Sequence, residues 1–529
     1  MFRCCHRLCA FVLFYSYLAC SAAFSQDNSQ SLADMARKMR KDTSDEVRMN
    51  DADTKKLLDS VDRIFAFVVE DTGMPKRAAV KRRIVGKADV EKFMTGRLAR
   101  EEYTQRFAQT ELSLRKFGFL PRDFNLREFL VKSTGQQVAG YYDEDTKTIS
   151  LLNWVPADHQ QPILAHELTH ALQDQNYDLK MWMRGTPQAK GSKENASSHD
   201  DGAVARKAVV EGQAMVVYLN YLLAPMGRNL EDTPGLIYQM EEPAVKAVQD
   251  SQLMHAAPMI MRESGTFAYQ QGLIFEGELL HKGGKKMAFA GVFARPPRNS
   301  HEVMMPDAYI NSERLPTVAV PDMSQFLGAD YEAFDSGSIG QLDVCALMKQ
   351  YGERRKADEI SSAWQGGAYV AFRRKDKSAD AAPTTADLDL VYVSRWKTPQ
   401  AAESFARFYT NAVSQRYQTA TVEDPPVCAA SKCPVAAAQI LTEEGPVIVE
   451  QWADNSVVVS ESFEPALAAK VQTAVHDGVM HARNSSPDSG YDSFDDELGF
   501  RLYEIPAFQQ FGEQVGIEIA RELAARTAH

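Results

Sequence analysis

Two histidines one helical turn apart constrain this sequence more than any other feature. They are His166 and His170, and Glu167 directly follows the first of them, within the run from Ile163 to Asp174. Residues four apart lie on the same face of a helix, so both imidazoles can direct a nitrogen at one metal ion. Glu167 can then reach water at the metal without binding the metal itself. The run therefore predicts a metal-binding helix with a built-in general base.

The flanking residues favour this helix. Leu164, Leu168 and Leu172 form an apolar stripe beneath the face that carries the histidines. Asp158 is predicted to cap the N-terminus of the helix, with Gln161 as its reciprocal partner. The alternative to a metal site is a helix that carries two histidines without binding anything.

A catalytic zinc site needs a third protein ligand and an open position for water. The metzincin pattern is excluded, because Gln173 and Asn176 stand where it requires a glycine and a histidine. The better candidate is Glu211, which is the single acid in the apolar core of a second predicted helix, from Asp201 to Leu223. A lone buried carboxylate is costly unless it is paired or binds a metal.

Polar residues just before this second helix leave other third ligands open. They are His199, Asp200 and Asp201, in a stretch that is predicted to be a loop. Rigid helical positions hold coordination geometry better than loops do, which favours Glu211.

With these two motifs the chain resembles the gluzincin branch of zinc metallopeptidases. It is also similar to a group of large, exported, poorly characterised bacterial proteins that share A-H-E-x-x-H-A-L-Q-D-Q followed by V-E-G-x-A. The resemblance implies that His166, His170 and Glu211 bind one zinc ion. It also implies that Glu167 is the catalytic residue.

Supporting roles are predicted from weaker signals. Many gluzincins carry an aspartate four residues after the ligand glutamate, where it orients a ligand histidine, but Met215 stands there in this chain. Asp174, one turn past His170, is the predicted substitute. A peptidase also gains from a hydrogen-bond donor near the developing oxyanion, and Tyr269 and His301 are the candidates. The alternative for each candidate is a packed aromatic ring or a surface histidine.

The N-terminal sequence favours export. Residues 1–25 combine a basic start, an apolar run and small residues, as in a secretory signal peptide. No later run of eighteen apolar residues occurs, so we expect no transmembrane helix after removal of the signal. The expected location is secreted, periplasmic or in the cell envelope, with lipid anchoring at Cys20 as the less favoured alternative.

Charge and cysteine content agree with an exported protein that does not bind nucleic acid. The chain has a formal net charge of −12 over 529 residues, which disfavours nucleic acid as a partner. Beyond the signal region the cysteines are Cys345, Cys428 and Cys433. The last two predict a small disulfide loop in an oxidising compartment, and free thiols are the alternative.

The predicted fold class is α+β. A helical N-terminal region is expected at residues 26–134, followed at 135–345 by a mostly helical zincin-like metallopeptidase domain. A β-hairpin within residues 137–152 precedes the metal helix. A C-terminal α+β domain is expected at residues 346–529, with alternating strand patterns and two helices from Pro399 to Tyr417 and from Pro465 to Val475.

Together these features predict an exported zinc metallopeptidase that acts on peptide or protein substrates. Glu167 would serve as the general base for water activated by one zinc ion. The alternative is a non-enzymatic envelope protein that uses the fold for binding or scaffolding and keeps a vestigial metal site.

Overall fold

The α+β prediction is confirmed by the computed structural model, which describes residues 49–90, 102–133, 140–184, 199–323, 327–352, 354–375, 383–425, 427–428, 433–484 and 506–527. The predicted signal peptide and Cys20 lie outside these residues. Within the described ranges, no helix is both long and apolar enough to cross a membrane.

The helices are α1 Asp51–Thr72, α2 Glu102–Phe117, α3 Leu126–Ser133, α4 Ala157–Tyr177, α5 Leu179–Arg184, α6 His199–Leu223, α7 Gly235–Gln249, α8 Gln252–Ala256, α9 Met259–Lys285, α10 Val292–Ala294, α11 Ser300–Met304, α12 Pro306–Ile310, α13 Gln341–Tyr351, α14 Arg354–Ser361, α15 Pro399–Arg416, α16 Pro465–Asn484 and α17 Pro506–Thr527. The strands are β1 Lys81–Val85, β2 Tyr141–Asp143, β3 Thr148–Leu152, β4 Tyr331–Ser338, β5 Trp364–Arg374, β6 Leu388–Trp396, β7 Ala420–Glu423, β8 Ala436–Thr442, β9 Gly445–Gln451 and β10 Ser456–Glu461. A π-helical turn, Lys286–Gly291, follows α9.

A three-stranded sheet precedes α4, the predicted metal-binding helix. Its order is β1-β3-β2, and β3 pairs in parallel with β1 and antiparallel with β2. The β2–β3 pair confirms the predicted hairpin. In its turn, Asp143 Oδ1 accepts a hydrogen bond from the Asp145 amide at 3.0 Å. This arrangement places β2 at the edge of the sheet, beside α4.

The helix α4 begins differently from the prediction. Pro156 holds the N-cap position and no side chain caps the helix, so the predicted Asp158 cap is wrong. The buried side chain of Gln160 instead fixes the helix to the end of β3, since it accepts from the Leu152 amide at 3.0 Å and donates to the Leu152 carbonyl at 2.9 Å.

Four long helices, α1, α4, α6 and α9, form the helical core. α4 packs against α1 on one side and α6 on the other, and α6 packs along α9. The last pair approaches closely because glycines face each other, and a Cβ on Gly212 would lie 2.3 Å from the Gly272 carbonyl oxygen. The predicted apolar stripe of α4 is buried in this core, with Leu168 and Leu172 fully covered.

The C-terminal half contains a seven-stranded antiparallel sheet in the order β4-β5-β6-β10-β9-β8-β7. Alternate residues of β6 enter two different cores, with Leu390 on one face and Val391 on the other. α15 covers the first face, where Phe405 stacks on Trp396 with ring centroids 4.7 Å apart. α16 covers the second face through Val471. The helices predicted from Pro399 and Pro465 are therefore confirmed.

The predicted boundary at residue 345/346 differs from the structure. The sheet already begins with β4, at Tyr331. The helix α17 leaves the sheet and packs against α6, α7 and α9 of the helical core, where its Phe511 and Ile519 are fully buried. The chain therefore returns to the helical core after completing the sheet.

A buried ion network joins the helical half to the sheet. Lys116 at the end of α2 is fully buried, and its Nζ lies 3.0 Å from Glu444 Oε2 and 2.7 Å from Ser462 Oγ. Burial lowers the pKa of Lys116, and the charge of Glu444 opposes that shift. Cys428 and Cys433 form the predicted disulfide, and Cys345 is a buried free thiol.

Candidate metal centre

Three side-chain atoms from α4 and α6 converge on one point. Glu211 Oε2 lies 3.2 Å from His166 Nε2 and 3.4 Å from His170 Nε2, and the two Nε2 atoms lie 3.1 Å apart. Ligand atoms about 2.0–2.1 Å from a tetrahedral zinc ion are separated by about 3.3–3.4 Å. The triangle formed by the three atoms therefore matches one face of such a coordination sphere.

The burial of Glu211 supports the same conclusion. Its side chain is almost fully covered, and Oε2 has no hydrogen-bond partner although both imidazoles are near. Burial by itself raises the pKa of Glu211, but the charges of Lys207 and His170 hold it well below its ordinary value. An ionised carboxylate with one unsatisfied oxygen next to two imidazoles is a set of donors that can hold a metal ion.

The two histidines differ electrostatically. Burial lowers the pKa of His166, which favours the neutral ring that a metal ligand requires. Burial also acts downward on His170, but the carboxylate of Glu211 outweighs it and raises the pKa of His170 to about 9. Binding of a cation between them therefore has to displace a proton from His170 at neutral pH.

Glu167 lies beside this group and is not one of the three converging ligands. Its Oε2 accepts a hydrogen bond from the Tyr142 amide of β2 at 2.8 Å. Burial raises the pKa of Glu167 to about 7, against the lowering effect of His170. A carboxylate with a pKa near neutrality, fixed by a strand edge, suits the proton transfer that the sequence assigns to it.

Asp174 does not take the predicted role of orienting a ligand histidine. Its Oδ2 accepts from the Tyr142 hydroxyl and from Lys147 Nζ, each at 2.6 Å. The partner of His170 is the neighbouring residue Gln173, whose Oε1 lies 3.0 Å from His170 Nδ1. Both residues are about one turn from His170, and which of them faces the ring depends on the helix packed against α4.

Tyr269 and His301, the two oxyanion candidates, lie in different surroundings. Tyr269 is buried on α9, and burial together with the nearby charge of Glu211 raises its pKa well above the ordinary value, so the structure brings it close to the candidate metal centre. His301 is buried at α11, where its Nδ1 lies 2.6 Å from Gln341 Oε1. The charged groups that act on His301 are Glu313, Glu302 and Lys397, outside the metal centre.

Two charged residues near the centre were missed by the sequence analysis. Lys207 lies one turn before Glu211 and donates to Glu211 Oε1, the oxygen that faces away from the imidazoles. The signal was present, because a lysine and a glutamate four residues apart on a helix commonly pair. Glu513 of α17 acts electrostatically on Glu167, Lys207 and Tyr269. No local pattern connects residue 513 with residue 167.

Of the alternative third ligands, Asp201 is the one whose side chain the structure describes, and it does not belong to the group of His166, His170 and Glu211. Asp201 is buried and its Oδ1 accepts from the Ser300 amide at 3.0 Å. His199 begins α6, and the side chains of His199 and Asp200 lie outside the description.

Comparison with known proteins identifies one segment. Residues 327–469 match a family model described as a domain of unknown function (DUF8575). The segment contains the seven-stranded sheet and ends within α16, so it does not include the metal centre. No curated protein and no solved structure matches the chain. The case for a metal centre therefore rests on its geometry.

Proposed function

We propose that this protein is an exported zinc-dependent metallopeptidase. The observation that carries the proposal is the triangle of His166, His170 and Glu211 ligand atoms, 3.1–3.4 Å apart, with Glu167 fixed beside it. Three protein ligands leave a fourth tetrahedral position free, as catalytic rather than structural zinc sites do.

Zinc fits the donor set better than the common hard cations. Two imidazole nitrogens and one carboxylate oxygen suit zinc, whereas calcium and magnesium prefer oxygen ligands throughout. The side-chain partners of Glu211 leave a single oxygen for the ion, since Lys207 occupies Oε1. One ion with two nitrogen ligands and one oxygen ligand is the simplest occupant.

The residues around the triangle can serve different steps of peptide hydrolysis. A bound zinc ion supplies a Lewis acid that acidifies water and polarises a carbonyl group. Glu167 takes the proton from the attacking water and then delivers it to the leaving amine nitrogen. The Tyr142 amide holds Oε2 of Glu167 in place, so that Oε1 is left to carry the proton. Lys207 keeps Glu211 in its orientation through its bond to Oε1.

The test is hydrolysis of a mixed peptide library by the purified mature chain and by Glu167→Gln. The variant keeps the size of the side chain and all three ligands, so we expect zinc content to be unchanged. Hydrolysis should fall by about 100-fold to 10,000-fold, the usual contribution of a general base. A chelator should abolish the activity of the wild-type chain, and added zinc should restore it.

The matched control is Glu278→Gln, the same change on α9 at a residue whose partners are Tyr238 and Lys282. This variant should hydrolyse peptides at the wild-type rate. Equal hydrolysis by the wild type and Glu167→Gln would refute the assigned base. Stoichiometric zinc without any turnover would instead support the vestigial site of a binding or scaffolding protein.

A further inference from the structure

Two glutamine side chains lie directly behind the metal centre and are fully buried. They are Gln173 of α4 and Gln213 of α6, each with no exposed area. His170 Nδ1 lies 3.0 Å from Gln173 Oε1, and Gln173 Nε2 lies 2.8 Å from Gln213 Oε1. Gln213 Nε2 in turn lies 2.6 Å from the carbonyl oxygen of Ala288, in the π-helical turn after α9. The four groups form a continuous chain of hydrogen bonds from the histidine to the backbone.

The carbonyl at the far end of this series of hydrogen bonds determines which atom of each carboxamide donates and which accepts. The carbonyl of Ala288 can only accept, so the Gln213 atom that faces it has to be the amide nitrogen. Gln213 Oε1 then faces Gln173 and requires a donor, which is Gln173 Nε2. Gln173 Oε1 is left facing the imidazole, and it requires a proton on His170 Nδ1.

A second backbone carbonyl independently fixes the orientation of the Gln173 carboxamide. Gln173 Nε2 also donates to the carbonyl oxygen of Val210 at 3.1 Å, and a flipped carboxamide would place two acceptors against each other there. Val210 directly precedes the ligand Glu211 on α6. The Gln173 carboxamide therefore connects the helix that carries the histidines to the backbone beside the third ligand.

We propose that Gln173 is a positioning residue that sets the tautomer of His170. Together with Gln213 it forces the neutral ring to carry its proton on Nδ1, and the lone pair of Nε2 is then available at the point where the three ligand atoms converge. This inference rests on the metal site of the proposed function. The same bonds hold α4 and α6 at the separation that brings Glu211 Oε2 to the two imidazoles.

Because Gln173 and Gln213 are fully buried, their carboxamides require hydrogen-bond partners within the protein. A carboxamide removed from water costs free energy unless its donors and acceptor are paired. Both glutamines find partners here, since Gln173 uses His170, Val210 and Gln213, while Gln213 uses Gln173 and Ala288. A purely structural bridge between α4 and α6 would not depend on which ring nitrogen of His170 is protonated, and this difference can be measured.

The experiment combines zinc affinity with the protonation state of His170. Zinc affinity is measured by competition with a chromogenic chelator, on the full mature chain. Gln173→Leu should weaken zinc binding about 10-fold to 100-fold, the usual effect of removing the group that orients a ligand histidine. Gln213→Leu leaves the bond to Val210, so its loss should be smaller than that of Gln173→Leu.

The matched control is Gln175→Leu, the same change two residues along α4. The carboxamide of Gln175 binds the backbone of Arg77 and Ala78, on the opposite side of the helix from the centre. Its removal should leave zinc affinity at the wild-type value.

Long-range nitrogen–proton NMR spectra of the zinc-loaded wild-type chain test the tautomer without any variant. We expect His170 to carry its proton on Nδ1, with Nε2 bound to zinc. Zinc on Nδ1 of His170, or equal zinc affinities for Gln173→Leu and Gln175→Leu, would overturn the inference alone. Absence of zinc binding by the wild type would overturn both the inference and the proposed function. Zinc bound with the expected tautomer, but without peptide hydrolysis, would support the inference and overturn only the peptidase.

Discussion

The two oxygens of Glu211 have different partners, and this division defines the candidate centre at the scale of single residues. Oε2 faces the two imidazoles, whereas Oε1 accepts from Lys207. The glutamate is therefore held before any ion arrives. A ligand fixed in this way loses little freedom on binding, which favours affinity.

Replacing Glu211 with Ala should remove the third ligand and leave Lys207 without its partner. We expect zinc content to fall to a small fraction of one ion per chain, measured on the purified protein by atomic emission. The matched variant is Glu302→Ala, which removes a buried carboxylate of α11 that pairs with Arg298. Full zinc content in the Glu211 variant would point to His199 or its neighbours as the ligand.

Residue-scale inference from sequence was accurate where helical periodicity decides the outcome. The spacing of His166 and His170 and the isolation of Glu211 in an apolar helix were sufficient to bring the three residues together. The choice between Gln173 and Asp174 was not accessible, because it depends on the side-chain angle and on Gln213 from another helix. The oxyanion role of Tyr269 stays a prediction, and only the packing of α9 on α6 shows that this residue lies near Glu211.

At the scale of elements, the helix α17 packs against the two helices, α6 and α9, that lie beside the candidate metal centre. Its Gly516 lies against the ring of Tyr269, where an added Cβ would come within 2.1 Å of Tyr269 Cε1. Its Ala520 carbonyl accepts from the Tyr218 hydroxyl of α6 at 2.6 Å. The helix thus packs against both α6, which carries Glu211, and α9.

Gly516→Ala should therefore destabilise the protein by about 1–3 kcal/mol, the usual range for overpacking a well-packed core. We expect a lower melting temperature and weaker zinc binding, because the ring of Tyr269 has to move away from α17. Gly512→Ala is the control, since a Cβ at that helical position meets nothing within 4 Å. That change should be neutral or stabilising by up to about 1 kcal/mol, as alanine is the better helix former. Equal melting temperatures for the two variants would contradict the packing.

The position of α17 was not predictable from local patterns. The sequence places residues 506–527 in the C-terminal α+β domain, and an apolar helix face can pack equally well on a sheet or on a helical core. The parallel strand β1 was missed for a related reason. Its sequence from Lys81 to Val85 begins with three basic residues, and only pairing with β3 makes it a strand.

The two halves of the molecule meet at buried carboxylates as well as at the ion network around Lys116. Asp201 near the start of α6 accepts from Ser300, and its side chain fills the space beside Gly340 at the start of α13. Burial raises the pKa of Asp201 to about 6 and that of Asp343, on α13, to about 7. The charge of Asp201 contributes to the second shift. The folded protein therefore favours the protonated acids at this junction.

This arrangement predicts a pH dependence of stability. A raised folded-state pKa means that the stabilising contribution of protonated Asp201 is complete below about pH 4 and is lost as the pH rises through about 6. Asp201→Asn keeps the acceptor for Ser300 and cannot ionise. Its stability relative to the wild type should rise by up to about 3 kcal/mol between pH 4 and pH 8, at 1.36 kcal/mol for each pKa unit.

Thermal unfolding of both proteins at a series of pH values measures this difference. Asp232→Asn, at an exposed aspartate of the loop before α7, is the control and should follow the wild type. If the melting temperatures of the wild type and Asp201→Asn changed with pH in parallel, the result would contradict a buried acid with a raised pKa at the junction.

The return of α17 to the helical core also has a consequence for biosynthesis. Ribosomes add about 5–20 residues per second, so Gly516 emerges roughly 15 to 60 s after Glu211. Until then the ring of Tyr269 lacks its contact with Gly516. A nascent chain therefore carries its three candidate metal ligands before α17 can pack against the helices that hold them.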